Sequence, residues 1–528
     1  MKTRRTTLIL AALALFLLLP LSAQATIYTW TGGTSTNWRT SGNWTPTTSP
    51  GYPNTFTDQA IINLSNVTKY PVTYMMTSST SSSIGGTGVG PVGDLNYALY
   101  IGSSAGDASG NALTLVGYPT NFINSYLNVR GDIYNAKIIN LNTNGVYTGN
   151  LRAYPPDTTN TYIYNIKGPG SINMAGGGLV ANSNNAWWDL QQNVSGYGTI
   201  SSRIINDATL TASGGTLNFN NALSTGDPII VNNGTLQVAA GGTFQYAGDG
   251  NTSNFDTSGA AYGGAGTGKV VMAGGTLSAT GSRTYSGTDF SGYGTLTANY
   301  TNNGTMTISG GVLNVSGTGA SGGQIKGDGN VAVTGSGLNL ANANTLLAHN
   351  FTMGPTATLT VGTSTLHPLM ELTGDFSFRQ TNPATWTYGT TAGLGPDLKM
   401  AGDGTTQKLE VGGVGNSLVN NFALHSLTIG AGAYVQLVDV FSNAGTAGSE
   451  TFNAGALLLG GVGDPTLDLN NISAFINGVL LTNGLYHTDN GDINVINAPV
   501  PLPPSVLLMG SGLLGLGLLG WRRRSWQG

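Results

Sequence analysis

The most constraining feature of this chain is a short motif that recurs through its middle. A glycine or asparagine turn is followed by a few residues that alternate apolar and polar. Examples are Gly214-Gly-Thr-Leu-Asn-Phe219, Asn232-Asn-Gly-Thr-Leu-Gln-Val238, Gly274-Gly-Thr-Leu277, Gly292-Tyr-Gly-Thr-Leu296, Asn302-Asn-Gly-Thr-Met-Thr-Ile308 and Gly310-Gly-Val-Leu-Asn-Val315. Period-two alternation presents one face inward. Glycine and asparagine before it suit corners where φ is positive. The first apolar residue after such turns falls at 200, 217, 236, 244, 277, 296, 306 and 313, giving gaps of 17, 19, 8, 33, 19, 10 and 7 residues. Several gaps are near one coil of a solenoid, and the others resemble fractions or multiples of it. A unit this small cannot bury its apolar face alone, whereas stacked units bury it against their neighbours. The pattern predicts an all-β chain, a right-handed parallel β-helix or β-solenoid over residues 81–490. A row of β-sandwich domains is the rival, but the two-residue hairpin turns that would favour it do not dominate.

Composition agrees. Charged residues make up 8% of the 528, against about 25% in ordinary globular proteins. In a stack, like residues recur against like, and a stacked charge repels its copy. Disorder is excluded by a 40% hydrophobic content with 22 Tyr, 14 Phe and 8 Trp. The absence of cysteine excludes disulfide scaffolds and zinc fingers. Six of the 19 basic residues lie in the two end segments and all 23 acids lie between them, so the body holds 13 basic residues and a net charge of −10. That balance argues against nucleic acid or anionic lipid as a partner.

The ends carry addresses. The chain opens Met1-Lys-Thr-Arg-Arg-Thr-Thr, runs apolar from Leu8 to Leu21 and continues Ser22-Ala23-Gln24-Ala25. A signal peptide is predicted over 1–25, with Ala23 and Ala25 as the small-residue site and cleavage after Ala25. At the other end a proline-rich stretch precedes an apolar run, Val506 to Trp521, and then Arg522, Arg523 and Arg524. The run predicts a short transmembrane helix that holds the tail transiently in the inner membrane with its arginines cytoplasmic. The expected division is 1–25 signal peptide, 26–80 tryptophan-rich capping segment, 81–490 solenoid, and 491–528 linker and sorting signal.

The stretch from Val500, Pro501, Leu502 and Pro503 through the glycine-bearing apolar run to Arg522–Arg524 closely resembles a PEP-CTERM sorting signal in its Val-Pro-Leu-Pro variant. The name-giving Pro-Glu-Pro is replaced by Pro501-Leu502-Pro503. The resemblance implies recognition by an exosortase-type membrane protease, cleavage near the proline motif, and a Gram-negative bacterium that makes exopolysaccharide. A second likeness covers Trp30-Thr-Gly-Gly-Thr-Ser-Thr-Asn-Trp38, Gly42-Asn-Trp44 and Asp58-Gln-Ala-Ile-Ile62. This opening is similar to that of autotransporter-type exported β-helix proteins, where such a segment caps the first coil.

Catalytic and ligand-binding patterns are weak. Gly102-Ser-Ser104-Ala-Gly106 matches a nucleophile elbow, but no helix pattern follows it. Gly263-Gly-Ala-Gly-Thr-Gly268-Lys269 nearly matches a phosphate loop, with Val270 where Ser or Thr is required. His349, His367, His425 and His487 lack partners at metal-ligand spacing. Asp249, Asp328 and Asp403 sit in Gly-Asp-Gly turns, which suit backbone capping and less well calcium. Asp464 with Asp468, and Asp489 with Asp492, are the close acid pairs, and basic residues are too sparse to suggest an acidic-sugar cleft. Trp187-Trp188 and Tyr293 are candidates to stack on sugars, with packing at coil ends as the plainer reading. The sequence therefore predicts an exported, non-enzymatic structural or adhesive protein of the cell surface or exopolysaccharide matrix, without a cofactor. The alternative is a carbohydrate-binding or polysaccharide-degrading β-helix protein in the same place.

Overall fold

A computed structural model describes residues 26–496 apart from short internal segments, the longest being 86–96, 221–229, 248–254 and 257–267. The chain divides into two compact units, Met1–Met370 and Glu371–Gly528. The fold is all-β, and its sheets are built mainly from parallel pairs. Among the described residues no helix is long and apolar enough to cross a membrane. The predicted membrane helix at 506–521 lies outside them, as do Ala23, Ala25, the 500–503 motif and the arginine triplet.

In the first unit each pass of the chain lays one strand on each of three ladders. One pass contributes Asp132–Asn135, Ile138–Asn144 and Tyr147–Ala153. Later passes fuse neighbouring segments, so that Asn299–Val315 alone serves all three ladders. The second ladder stacks one apolar column: Val72, Leu113, Ile139, Ile172, Val194, Leu210 and Leu236 pair in turn. The column continues through Val270, Phe290, Met306, Val331 and Phe351. None of the twelve is more than 2% exposed. At ~1.5–3 kcal/mol for each large apolar side chain buried, such columns carry the stability of the unit.

The ladders explain the mixed sequence gaps. Leu217, Phe244, Leu277 and Leu296 follow one another on the third ladder, and Leu313 joins it one pass later. Leu236 and Met306 belong to the second. The gaps of 8 and 7 are therefore steps from one face to the next within a pass. A full pass ranges from 16 residues, Val194 to Leu210, to 41, Val72 to Leu113, because loops of different length leave the corners.

The expected share of asparagine in positive-φ corners needs correction. In the first unit every described residue with positive φ is a glycine. Asparagine there works through its side chain. Asn135, Asn206, Asn232 and Asn302 are buried at one corner, and each Nδ2 donates to a carbonyl on a later segment: Ser171, Thr235, Lys269 and Asn330 respectively. A corner carbonyl turned inward would otherwise be short of a donor, which costs about 1–3 kcal/mol.

The segment expected to cap the solenoid enters the ladders itself. Thr26–Trp30 and Asp58–Ile62 pair in parallel, and Val72–Tyr74 pairs with Asn111–Val116. Trp30, Trp38 and Trp44 meet edge to face at 5.1 and 4.8 Å and are all buried.

The second unit also stacks parallel strands, such as Leu394–Met400 on Ala423–Ile429 on Phe452–Leu459. Its core centres on Phe376, Phe378, Trp386 and Phe422, with ring centroids 4.7–6.0 Å apart. Antiparallel hairpins follow, Ala474–Ile476 with Val479–Leu480 and Leu485–Asp489 with Asp492–Ile496.

Candidate functional site

Trp187 and Trp188 lie on Ala186–Leu190, a strand buried along its whole length. They are 1% and 0% exposed, and Trp188 Nε1 donates to the Val180 carbonyl at 3.1 Å. Neither ring presents a face to a sugar, and the packing expectation holds. Tyr293 lies against glycine corners on both sides. A Cβ built on Gly311 would come within 2.5 Å of its ring, and one on Gly274 within 3.3 Å. Tyr197 covers Gly215 and Gly176 in the same way. The Gly-Tyr-Gly and Gly-Gly motifs are thus complementary: the tyrosine occupies the space the paired glycines leave.

The elbow-like Gly102–Gly106 turn leads from Tyr97–Ile101 to another strand, Asn111–Val116, so the strand-to-helix geometry of a nucleophile elbow is not formed. Lys269 likewise opens a strand, Lys269–Ala279, where a phosphate loop needs a helix. Asp403 Oδ1 accepts from the Thr405 amide at 2.9 Å, a backbone-capping turn. Asp249 and His367 lie outside the described residues. Asp468 accepts from Tyr434 Oη and Gln436 Nε2, both at 3.1 Å. Among the described residues no group of three or more His, Asp or Glu side chains is placed to hold a metal ion.

Two clusters do assemble polar groups. The first, in the second unit, is centred on Asp397. Its carboxylate accepts from Tyr388 Oη at 2.9 Å, meets His425 Nδ1 at 2.7 Å and accepts from Ser426 Oγ. The His425 and Tyr388 rings stack at 4.3 Å. Burial works to raise the Asp397 pKa, but the hydrogen bonds from Ser426, His425 and Tyr388 outweigh it and hold the carboxyl below its usual range. Burial and the neighbouring carboxylate push the Tyr388 hydroxyl up. Ser, His and Tyr all converge on one acceptor, and Ser426 gives its proton to Asp397. A nucleophilic serine would instead donate to the histidine. This cluster fixes adjacent strands.

The second cluster lies in the first unit, on the outer side of Ser125–Arg130 and Tyr147–Ala153. These strands pair in register, Tyr126 beside Asn150 and Asn128 beside Arg152. Leu127, Val129, Leu151 and Ala153 point inward and are buried. The alternate positions bring Tyr126, Asn128, Arg130, Arg152 and Tyr154 to one outer face, where Phe56 joins them. The Arg130 guanidinium lies 3.9 Å from the Phe56 ring centre and 5.9 Å from that of Tyr154. The Arg152 guanidinium lies 4.4 Å from Tyr126 and 5.8 Å from Tyr154. Arg152 Nε donates to Asn128 Oδ1 at 2.6 Å, and Arg130 Nε to the Tyr154 carbonyl at 3.5 Å. Burial lowers the Arg152 pKa, opposed by Tyr126, Tyr154 and Tyr74.

Sequence reasoning counted basic residues, found them sparse and missed this cluster. The legible signal was the outward set of two strands, Tyr126-x-Asn128-x-Arg130 and Asn150-x-Arg152-x-Tyr154, one pass apart.

The fold and these clusters define a parallel, repeat-like β protein. Comparison of the chain with protein-family models, with curated proteins and with solved structures finds no match in any of the three.

Proposed function

We propose that the chain is an exported structural or adhesive protein of the cell surface or exopolysaccharide matrix of a Gram-negative bacterium, sorted by an exosortase and without a catalytic role. Its body is read as a right-handed parallel β-helix, in keeping with the three parallel ladders of the first unit. The observation that carries the reading is the pair of addresses around that body. An Ala23-x-Ala25 leader stands before it, and the Val500–Pro503 motif, the 506–521 apolar run and Arg522–Arg524 stand after it. Low charge and stacked apolar columns suit a persistent scaffold outside the cell. The Asp397 cluster supports the non-catalytic reading, since its serine is bonded to the carboxylate.

The test is mass spectrometry of the protein recovered from fractions of its native host, with and without the exosortase. A product that starts at Thr26, lacks the segment after the proline motif and sits at the surface or in the matrix supports the proposal. An intact C-terminus retained in the inner membrane of the unmodified host would overturn the sorting step.

A further inference from the structure

The geometry points to a binding site for an acidic saccharide, a sugar chain bearing carboxylates, formed by Arg130, Arg152, Tyr126, Tyr154 and Phe56 on the outer face of the first unit. This goes beyond the proposed function, and it is measured on the purified chain whatever the route of export.

Neither arginine forms an ion pair among the described residues. That is unexpected in a body with 23 acids and 13 basic residues. The carboxylate of Asp157 accepts from Tyr162 Oη and from the amides of Thr159 and Asn160. Each guanidinium is anchored through Nε and an aromatic face. Its outer nitrogens have no protein partner among the described residues. A planar guanidinium held in this way is pre-organised for two parallel hydrogen bonds to a carboxylate. Both charges lie within 6 Å of the Tyr154 ring centre, at 5.9 and 5.8 Å. A pyranose laid along the rings would offer them its C–H face while its carboxylate met the arginines. The inward sides of the two strands are already filled by Leu127, Val129, Leu151 and Ala153, so the core does not need this set. The body's net charge of −10, with both arginines counted, disfavours double-stranded nucleic acid, which carries a charge about every 1.7 Å.

The full chain is titrated with alginate oligomers as the uronate probe, dextran as the neutral comparator and sodium sulfate as a small anion. Alginate is expected to bind, more weakly as salt rises. Arg130→Gln with Arg152→Gln is expected to lower affinity about 100-fold, roughly tenfold for each guanidinium–carboxylate pair removed. Arg130→Lys with Arg152→Lys keeps the charge and most of the packing. It is expected to weaken binding about tenfold at an unchanged unfolding temperature, so the lysine pair decides the matter if the glutamine pair fails to fold. Three results would each overturn the proposal: alginate binding unchanged in the lysine pair, dextran bound as tightly as alginate, or sulfate bound with no alginate binding.

Discussion

The two units stack parallel strands by the same hydrogen bonding, yet they solve the corner problem differently. In the first unit glycine takes every described positive-φ position, and several of these glycines touch the backbone of the preceding pass. A Cβ on Gly292 would lie 1.8 Å from the Met272 carbonyl oxygen. In the second unit Asn420, Asp464, Asn470, Asn471 and Asn477 adopt positive φ themselves, and a Cβ on Gly404 or Gly415 would meet nothing within 4 Å. Many of the first unit's corners are closed by the preceding pass, as at Gly168, Gly196, Gly292 and Gly327, whereas a Cβ on Gly145 or Gly241 would meet nothing within 4 Å. Several of the second unit's corners are open, so a short polar side chain is tolerated there, although a Cβ on Gly402 would come within 2.8 Å of Ala433. The cores differ as well: long apolar columns in register in one, an aromatic cluster around Trp386 in the other.

The largest test of that contrast is Trp386→Ala. This ring is 1% exposed and touches Phe376, Phe378 and Phe422. Its removal is expected to cost about 3–5 kcal/mol. Calorimetry should show one transition of the full chain moving down while the other stays, because each unit has its own core. Loss of both transitions together would show that the two cores unfold as one.

Next in size is a pH effect in the second unit. Glu410 is 3% exposed, and its Oε1 accepts from the amides of Val440 and Phe441. Burial pushes its pKa up to about 7, helped by Asp439 and Glu450 and opposed by those two amides. A carboxyl whose folded pKa is raised binds its proton more tightly in the folded state. Its contribution is therefore full below the unfolded pKa, near 4.5, and is lost as pH rises through about 7. The second unit is expected to lose on the order of 3 kcal/mol over that window. Glu410→Gln should flatten the dependence while keeping the acceptor. Denaturant titrations at pH 5 and pH 8 check it, and parallel curves for both proteins would contradict it.

How much of this was legible in the sequence differs between the units. Alternation around Leu236, Leu313 and Val315 fixes which side chains face inward, since period two allows no other choice. The assignment of each strand to a ladder was not legible, because loops let a pass vary from 16 to 41 residues. Nor was the work of the asparagines. Sequence treated them as turn formers, whereas Asn206 Nδ2 reaches Asn232 Oδ1 at 2.6 Å and the Thr235 carbonyl at 3.2 Å. The Arg130–Arg152 face was hidden for the related reason that proximity across a ladder depends on register. Asn206→Ala tests the asparagine corner directly. It removes a buried donor from two acceptors and is expected to cost about 1–3 kcal/mol. Amide exchange should quicken around Asn206 and Asn232, with the second unit unaffected.

The smallest expected effect sharpens the comparison most cleanly, because it asks whether the second unit's corners are as open as they look. Asn477 and Gly478 have φ of 48° and 75° and join strands in which Ile476 faces Val479. Two consecutive positive-φ residues in a two-residue hairpin make the type I′ turn that Asn-Gly favours. Asn477→Gly keeps the conformation available and is expected to change stability by less than about 0.5 kcal/mol, since the cost of αL is modest for asparagine and absent for glycine. The converse exchange in the first unit, Gly292→Asn, places the same favoured αL residue at φ +111°, where its Cβ would lie 1.8 Å from a backbone oxygen. Asparagine's tolerance of positive φ does not help there, because the obstacle is the neighbouring pass and not the residue's own torsion. A thermal shift confined to Gly292→Asn would assign the glycines of the first unit to close stacking. Equal shifts in both variants would return them to simple turn formation.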